Sequence, residues 1–167
     1  MKNKTIWSNR FKSKTSQSFI KIGSSIHIDK RLYEQDITAS IVHTQMLMKQ
    51  KIIKNEDGNK IINGLKKIKA QIDKGSFEFK EKYEDIHLNI EKALFEIIGP
   101  SAGFMHTARS RNDQVVTDFK LWIKQASNEI IKDISLVMKN LIKKAEKNTD
   151  TVMPGMTHLK NAQPISF

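Results

Sequence analysis

Between the Asn112–Asp113 pair and the Pro154–Gly155 turn lies the feature that most restricts what this chain can become. Val116, Phe119, Ile123, Ala126, Ile130, Ile134, Val137, Leu141 and Ala145 recur there at steps of three and four residues, with no glycine or proline between them. That spacing predicts one amphipathic helix of roughly 33 residues, about 50 Å long at 1.5 Å per residue. A domain of 167 residues does not need a rod of that length, and a long helix expects neighbours of matching length. Val115, Trp122 and Ile131 widen the apolar stripe, so the helix is greasy on more than one side. An oligomeric or incomplete bundle is the expected setting, with a monomeric bundle as the alternative.

The rest of the chain reads as shorter helices. To about residue 28 the apolar pieces, such as FIKIGSSIHID, lack a sustained period and read as an extended or irregular arm. From about Asp29 a helix is expected, with Leu32, Tyr33, Ile37, Ile41 and the Met46–Met48 cluster on one face. A second follows, with Asn55 as N-cap, Ile61, Leu65, Ile68 and Ile72 at helical spacing, and Gly75 as its stop. A third is expected from about Glu84, with Ile86, Ile90, Leu94 and Ile97 on one face and Gly99–Pro100 behind it. Past Lys147 the pattern becomes a loop through Pro154–Gly155, and Pro164 suits the first turn of a further helix. Ending three residues after such a start, the chain reads as truncated. No strand-period segment exceeds a few residues, so the fold class is all-α.

Composition excludes several functions. The sequence has no cysteine, which removes disulfides, thiol nucleophiles, iron–sulfur clusters and cysteine-ligated zinc. No apolar run approaches a membrane span, and a cytoplasmic protein is the expectation. The net charge of +11 comes from 29 Lys+Arg against 18 Asp+Glu, but the lysines spread along helical segments as a solvated face would. A basic nucleic-acid binder is the competing reading, and steep salt dependence on DNA would mark it. Arginine occurs only at Arg10, Arg31, Arg109 and Arg111. Two of the four in SRSRN therefore point to a need for the guanidinium fork, which binds carboxylates bidentately.

Three constellations carry possible chemistry. His106 to Gln114, HTARSRNDQ, sits where the long helix begins. Free N–H groups and the positive helix end favour a carboxylate there, Asn112 or Asp113 can cap, and the arginines add charged donors. A plain helix cap is the alternative reading. The second is PGMTHLKNAQP, which displays Thr157 and His158 between two turn signals, with histidine able to act as acid, base or anchor. The third is Glu84-Asp85-Ile86-His87, acids in a first helical turn beside an imidazole. There is no HExxH, no glycine-rich phosphate loop and no defensible Ser–His–Asp spacing, so neither a metal nor a cofactor is expected.

Together, HTARSRNDQ followed by TDFKLW, then PGMTHLKNAQP, with EDIH upstream and an N-terminal WSNRF, closely resemble the argininosuccinate lyase family of the fumarase/aspartase superfamily. The likeness runs through essentially the whole chain, in order, and corresponds to the N-terminal third or so of such an enzyme. It implies residues 1–111 as an N-terminal helical domain and 112–167 as the start of a central helical bundle. It also implies β-elimination of argininosuccinate to arginine and fumarate, in arginine synthesis, by a homotetramer whose sites are built from three subunits. By the same resemblance Ser25, Arg109, Arg111, Asn112 and Thr157 bind substrate, His158 serves proton transfer, and Asp85 with His87 support the site. The family's serine-bearing mobile loop would lie beyond Phe167, so 1–167 alone is expected to be inactive. Ser8–Asn9, Ala108 and Lys160 depart from the family pattern, which has glycine at the first three positions and glutamine at the last. Ala108 is tolerable unless a positive φ is required. Other fumarate-releasing lyases of the superfamily, and a non-catalytic structural relative, remain as alternatives.

Overall fold

Apolar side chains at helical spacing generate nearly all of the architecture in the computed structural model, which describes residues 16–167. The WSNRF motif lies outside the described residues. In chain order the elements are α1 (Gln17–Gly23), α2 (Ile26–Asp29), α3 (Tyr33–Lys49), α4 (Asn55–Asp73), α5 (Ile86–Ile98), α6 (Arg111–Glu146), β1 (Val152–Thr157) and β2 (Lys160–Ser166). Turns of 3₁₀ helix fill Lys30–Leu32, Glu81–Tyr83 and Gly99–His106. The all-α class holds, with one hairpin added.

The described part divides into two compact units, residues 16–122 and Ile123–Phe167, with the chain passing from one to the other inside α6. In the first, Ile37 and Leu47 of α3, Ile61, Leu65 and Ile68 of α4, and Ile86, Ile90 and Leu94 of α5 form a closed core with Met105. Packing between α4 and α5 is close: a Cβ added at Gly64 would come within 2.5 Å of Leu94 Cδ1. In the second unit the outer part of α6 leaves Ile130, Ile134, Val137 and Leu141 more than half exposed.

Several local expectations need correction. The arm before residue 28 is helical from Gln17, because Ser16 Oγ accepts from Phe19 N at 3.2 Å and starts a helix the apolar pattern is too short to announce. Asn55 is the first helical residue rather than the cap, a position Lys54 occupies. Asp85 caps α5 by accepting from Leu88 N at 2.6 Å, so Glu84 precedes the helix instead of belonging to its first turn. The largest difference lies past Lys147. Pro164 does not open a helix; it pairs with Pro154 in the antiparallel hairpin β1–β2. A two-residue turn at His158 and Leu159, both with positive φ (48° and 61°), closes it with the handedness that hairpins favour. Prolines in both strands and the absence of Asn-Gly hide it from pattern reading.

Candidate active site

The start of α6 is fixed by Ser110. Its Oγ accepts from Asn112 N at 3.2 Å, while Asp113 Oδ2 accepts from Ser110 N at 3.3 Å. The hydroxyl satisfies the N–H of the second helical residue and the Asp113 carboxylate reaches back to the cap N–H, so Ser110 is the cap that sequence reasoning assigned to Asn112 or Asp113. Asn112 is exposed on the first turn. Just before it, Ala108 has a φ of 56°. That is the left-handed conformation which glycine adopts freely and alanine does not.

The two arginines have different surroundings. Arg111 is part-exposed; its Nη1 donates to Gln114 Oε1 at 2.7 Å and its Nη2 to Glu91 Oε2 at 3.1 Å. Of the five N–H donors of a guanidinium, three remain for an anion. Arg109 turns inward, with Nη2 donating to Ser40 Oγ at 3.2 Å and Nε buried without a partner. His106 stands nearby, and burial followed by the Arg111 charge holds its imidazole below the usual value.

Behind Arg111 lies a polar cluster sealed inside the first unit. Asp36 of α3, His87 of α5, and Gln114 and Asp118 of α6 are all at most 2% exposed. His87 Nδ1 lies 3.1 Å from Asp36 Oδ1 and 3.5 Å from Asp118 Oδ2, and Gln114 Nε2 donates to Asp36 Oδ1. Burial opposes a charge on Asp36, but hydrogen bonding and attraction from His87, with hydrogen bonds from Gln114 and Asp118, hold its carboxyl below the ordinary value. Burial likewise opposes charge on His87, and Asp36, Asp85 and Asp118 together raise it above its ordinary value. Asp118 goes the other way: burial first, then the neighbouring Asp36 charge, push it up to about 8. These shifts favour negative charge on Asp36 and positive charge on His87, and leave Asp118 protonated at neutral pH. One ligand atom from each of Asp36, His87 and Asp118 lies within 4.8 Å of the others, the grouping among the described residues that could hold a metal ion. Gln114 adds no further ligand to that group, since it presents its amide N–H, not its oxygen, to Asp36.

A second polar group flanks this cluster. Ser25 Oγ donates to Asp29 Oδ2 at 2.6 Å, and Asp29 Oδ1 accepts from Ile86 N at 3.1 Å. The Glu84 carbonyl, on a residue with φ of 63°, accepts from Ser25 N, Ile26 N and Ser24 Oγ. Burial, reinforced by Asp85, raises the carboxyl of Asp29 and also that of Glu84. Thus Ser25 and Asp85 share one cluster through Asp29 and the Glu84 carbonyl, and His87 joins Arg111 through Asp36 and Gln114. Thr157 and His158 stand in the other unit, exposed at the turn of the hairpin.

Sequence reasoning missed Asp29, Asp36, Ser40, Glu91, Gln114 and Asp118. A signal existed for some: Asp36, Ser40 and Thr44, like Gln114 and Asp118, repeat every four residues. Each set lies on one helix face, where a solvated residue has no reason to be in register.

A family profile described as lyase matches residues 9–167, and the chain belongs to that lyase family. The chain is similar to the argininosuccinate lyase of Pelagibacter ubique (strain HTCC1062), with 56% identity over 165 residues, 99% of this chain and 36% of that protein. Against the argininosuccinate lyase of Bartonella bacilliformis (strain ATCC 35685 / KC583 / Herrer 020/F12,63) identity is 48% over 162 residues, 97% of the chain and 35% of the relative. The chain thus spans about a third of the length of these relatives. Among solved structures, EDDS lyase in complex with formate is 27% identical with a TM-score of 0.66, over 88% of this chain and 28% of that one. An EDDS lyase double variant with bound fumarate has the same TM-score at 25% identity, over 93% of this chain and 31% of that one.

Proposed function

We propose that the chain is the N-terminal part of an argininosuccinate lyase, cleaving argininosuccinate to L-arginine and fumarate by β-elimination in arginine biosynthesis. The observation that carries this is the 56% identity to an argininosuccinate lyase across 99% of the chain. The chemistry fits. Removing a proton beside a carboxylate loads negative charge onto that carboxylate, and prealigned donors stabilise it. Arg111, with three free N–H groups beside the exposed Asn112 at a helix start, supplies such donors. Arg109 adds positive charge from behind, Ser25 and Thr157 bind substrate, His158 serves proton transfer, and Asp85 and His87 support the site. No cofactor or metal takes part. Residues 1–111 form the N-terminal domain and 112–167 begin the central bundle. The working enzyme is a cytoplasmic homotetramer with sites built from three subunits, a setting that would cover the apolar stripe of α6. No described helix is long and apolar enough to cross a membrane. The bound fumarate of the EDDS lyase variant favours one second reading, a related carbon–nitrogen lyase that releases fumarate from another substrate.

The test is a graft of this chain in place of the matching 165 residues of the Pelagibacter enzyme. It is expected to release fumarate from argininosuccinate, and preference for another substrate in a panel would select the second reading. A graft that assembles and melts like its parent yet releases no fumarate overturns the proposal. Arg111→Lys in the graft is expected to lose at least about tenfold in rate at an unchanged melting temperature, since an ammonium cannot reproduce the fork.

A further inference from the structure

We propose that Gln114 and Asp36 are positioning residues for the Arg111 guanidinium, a role that rests on the lyase reading of the site. Gln114 is 1% exposed, and its amide is committed in both directions. The NH₂ donates to Asp36 Oδ1, and the carbonyl accepts from Arg111 Nη1 at 2.7 Å. Flipping the amide would set a carbonyl against a carboxylate and an NH₂ against a guanidinium, so only one orientation satisfies both neighbours. Asp36 is itself held by His87 at 3.1 Å. The second arm of Arg111 rests on Glu91, four residues after His87 and therefore on the same side of α5.

The guanidinium is thereby gripped at both Nη atoms by α5 and α6, and one of those grips is anchored through Asp36 to α3. A long, rotamer-rich side chain on a helix end would otherwise lose orientational freedom on every binding event. Here that freedom is already removed, and the free N–H groups keep a fixed direction. The buried cluster has a task beyond packing: it aims Arg111.

Isotope-edited NMR of arginine side chains in the full 167-residue chain tests this directly. Rotation about the Arg111 Nε–Cζ bond exchanges its two Nη groups. Arg31, which makes one exposed bond from Nε to the Ile28 carbonyl, is the internal control. Separate Nη signals are expected for Arg111 and averaged ones for Arg31. Gln114→Met should average the Arg111 signals, while Gln114→Glu, which keeps an acceptor for Arg111 but loses the N–H that ties it to Asp36, should give exchange intermediate between the two. In the Pelagibacter graft, Gln114→Met should lower kcat and kcat/KM for argininosuccinate alike, roughly five- to tenfold, at an unchanged melting temperature, the pattern of lost transition-state stabilisation. Free rotation of Arg111 in the unsubstituted chain refutes the proposal, as do signals that stay separate in a folded Gln114→Met chain or an unmoved kcat. Should Gln114→Met fail to fold, the comparison with Arg31 and the Gln114→Glu spectrum decide. A graft without turnover whose Arg111 is still held would instead count against the lyase reading alone.

Discussion

Asp118→Asn should stabilise the first unit, by an amount that grows with pH. Asp118 is fully buried and keeps its proton up to about pH 8, against an ordinary value of 3.8. Between those limits the native state binds a proton that the unfolded chain has released, so stability falls as pH rises. From 3.8 to neutral pH is about 3 units, and at ~1.4 kcal/mol per unit the ceiling is ~4 kcal/mol. The same proton is shared with Asp36 and felt by His87, which lowers the expected effect to about 1–2 kcal/mol at pH 7. Asparagine copies the shape of the neutral carboxyl and has no proton to lose, so the variant should escape this decline. Urea denaturation of the unsubstituted chain and of the Asp118→Asn variant at about pH 5, 6, 7 and 8 reads the difference. The gap should be smallest at the acid end and widen to about pH 8. His87, raised above its ordinary value by carboxylate neighbours that include Asp118, adds a decline on the alkaline side in both proteins, and its coupling to Asp118 is part of the reduction to about 1–2 kcal/mol. A variant that is less stable by a constant amount at every pH would show that Asp118 is charged in the folded chain, and the proton-sharing account of the cluster would be wrong.

Two backbone predictions follow from residues with positive φ. Ala108→Gly should raise stability by about 1 kcal/mol by relieving the left-handed conformation at φ 56°, and an unchanged or lower melting temperature would contradict this. Leu159→Gly should strengthen the hairpin by a similar ~1 kcal/mol, because Leu159 has φ 61° and is 95% exposed, leaving no burial to lose. Slower amide exchange in Val152–Thr157 and Lys160–Ser166 is the expected readout.

Periodicity carries far in this chain. The apolar spacing of Ile61, Leu65 and Ile68, or of Ile86, Ile90 and Leu94, announces α4 and α5, and each of these residues is fully buried. It also announces α6, which reaches 36 residues. The hairpin escapes because its residues are almost all exposed, so burial never imprinted an alternation on them. Arg111 and His87 stand out by composition and motif. Asp36 and Asp118 do not, because a buried carboxyl owes its place to partners brought from other helices. The distance in sequence from Asp36 to Gln114 is 78 residues, beyond the reach of any local pattern.

The sealed carboxyl–imidazole cluster also bears on timing. With Asp36, His87 and Asp118 at 0–2% exposure, a proton can enter or leave only during a transient opening of the helices around them. After a sudden change of buffer the interior would therefore lag the surface, and for that interval the molecule would retain the protonation of the solution it had left.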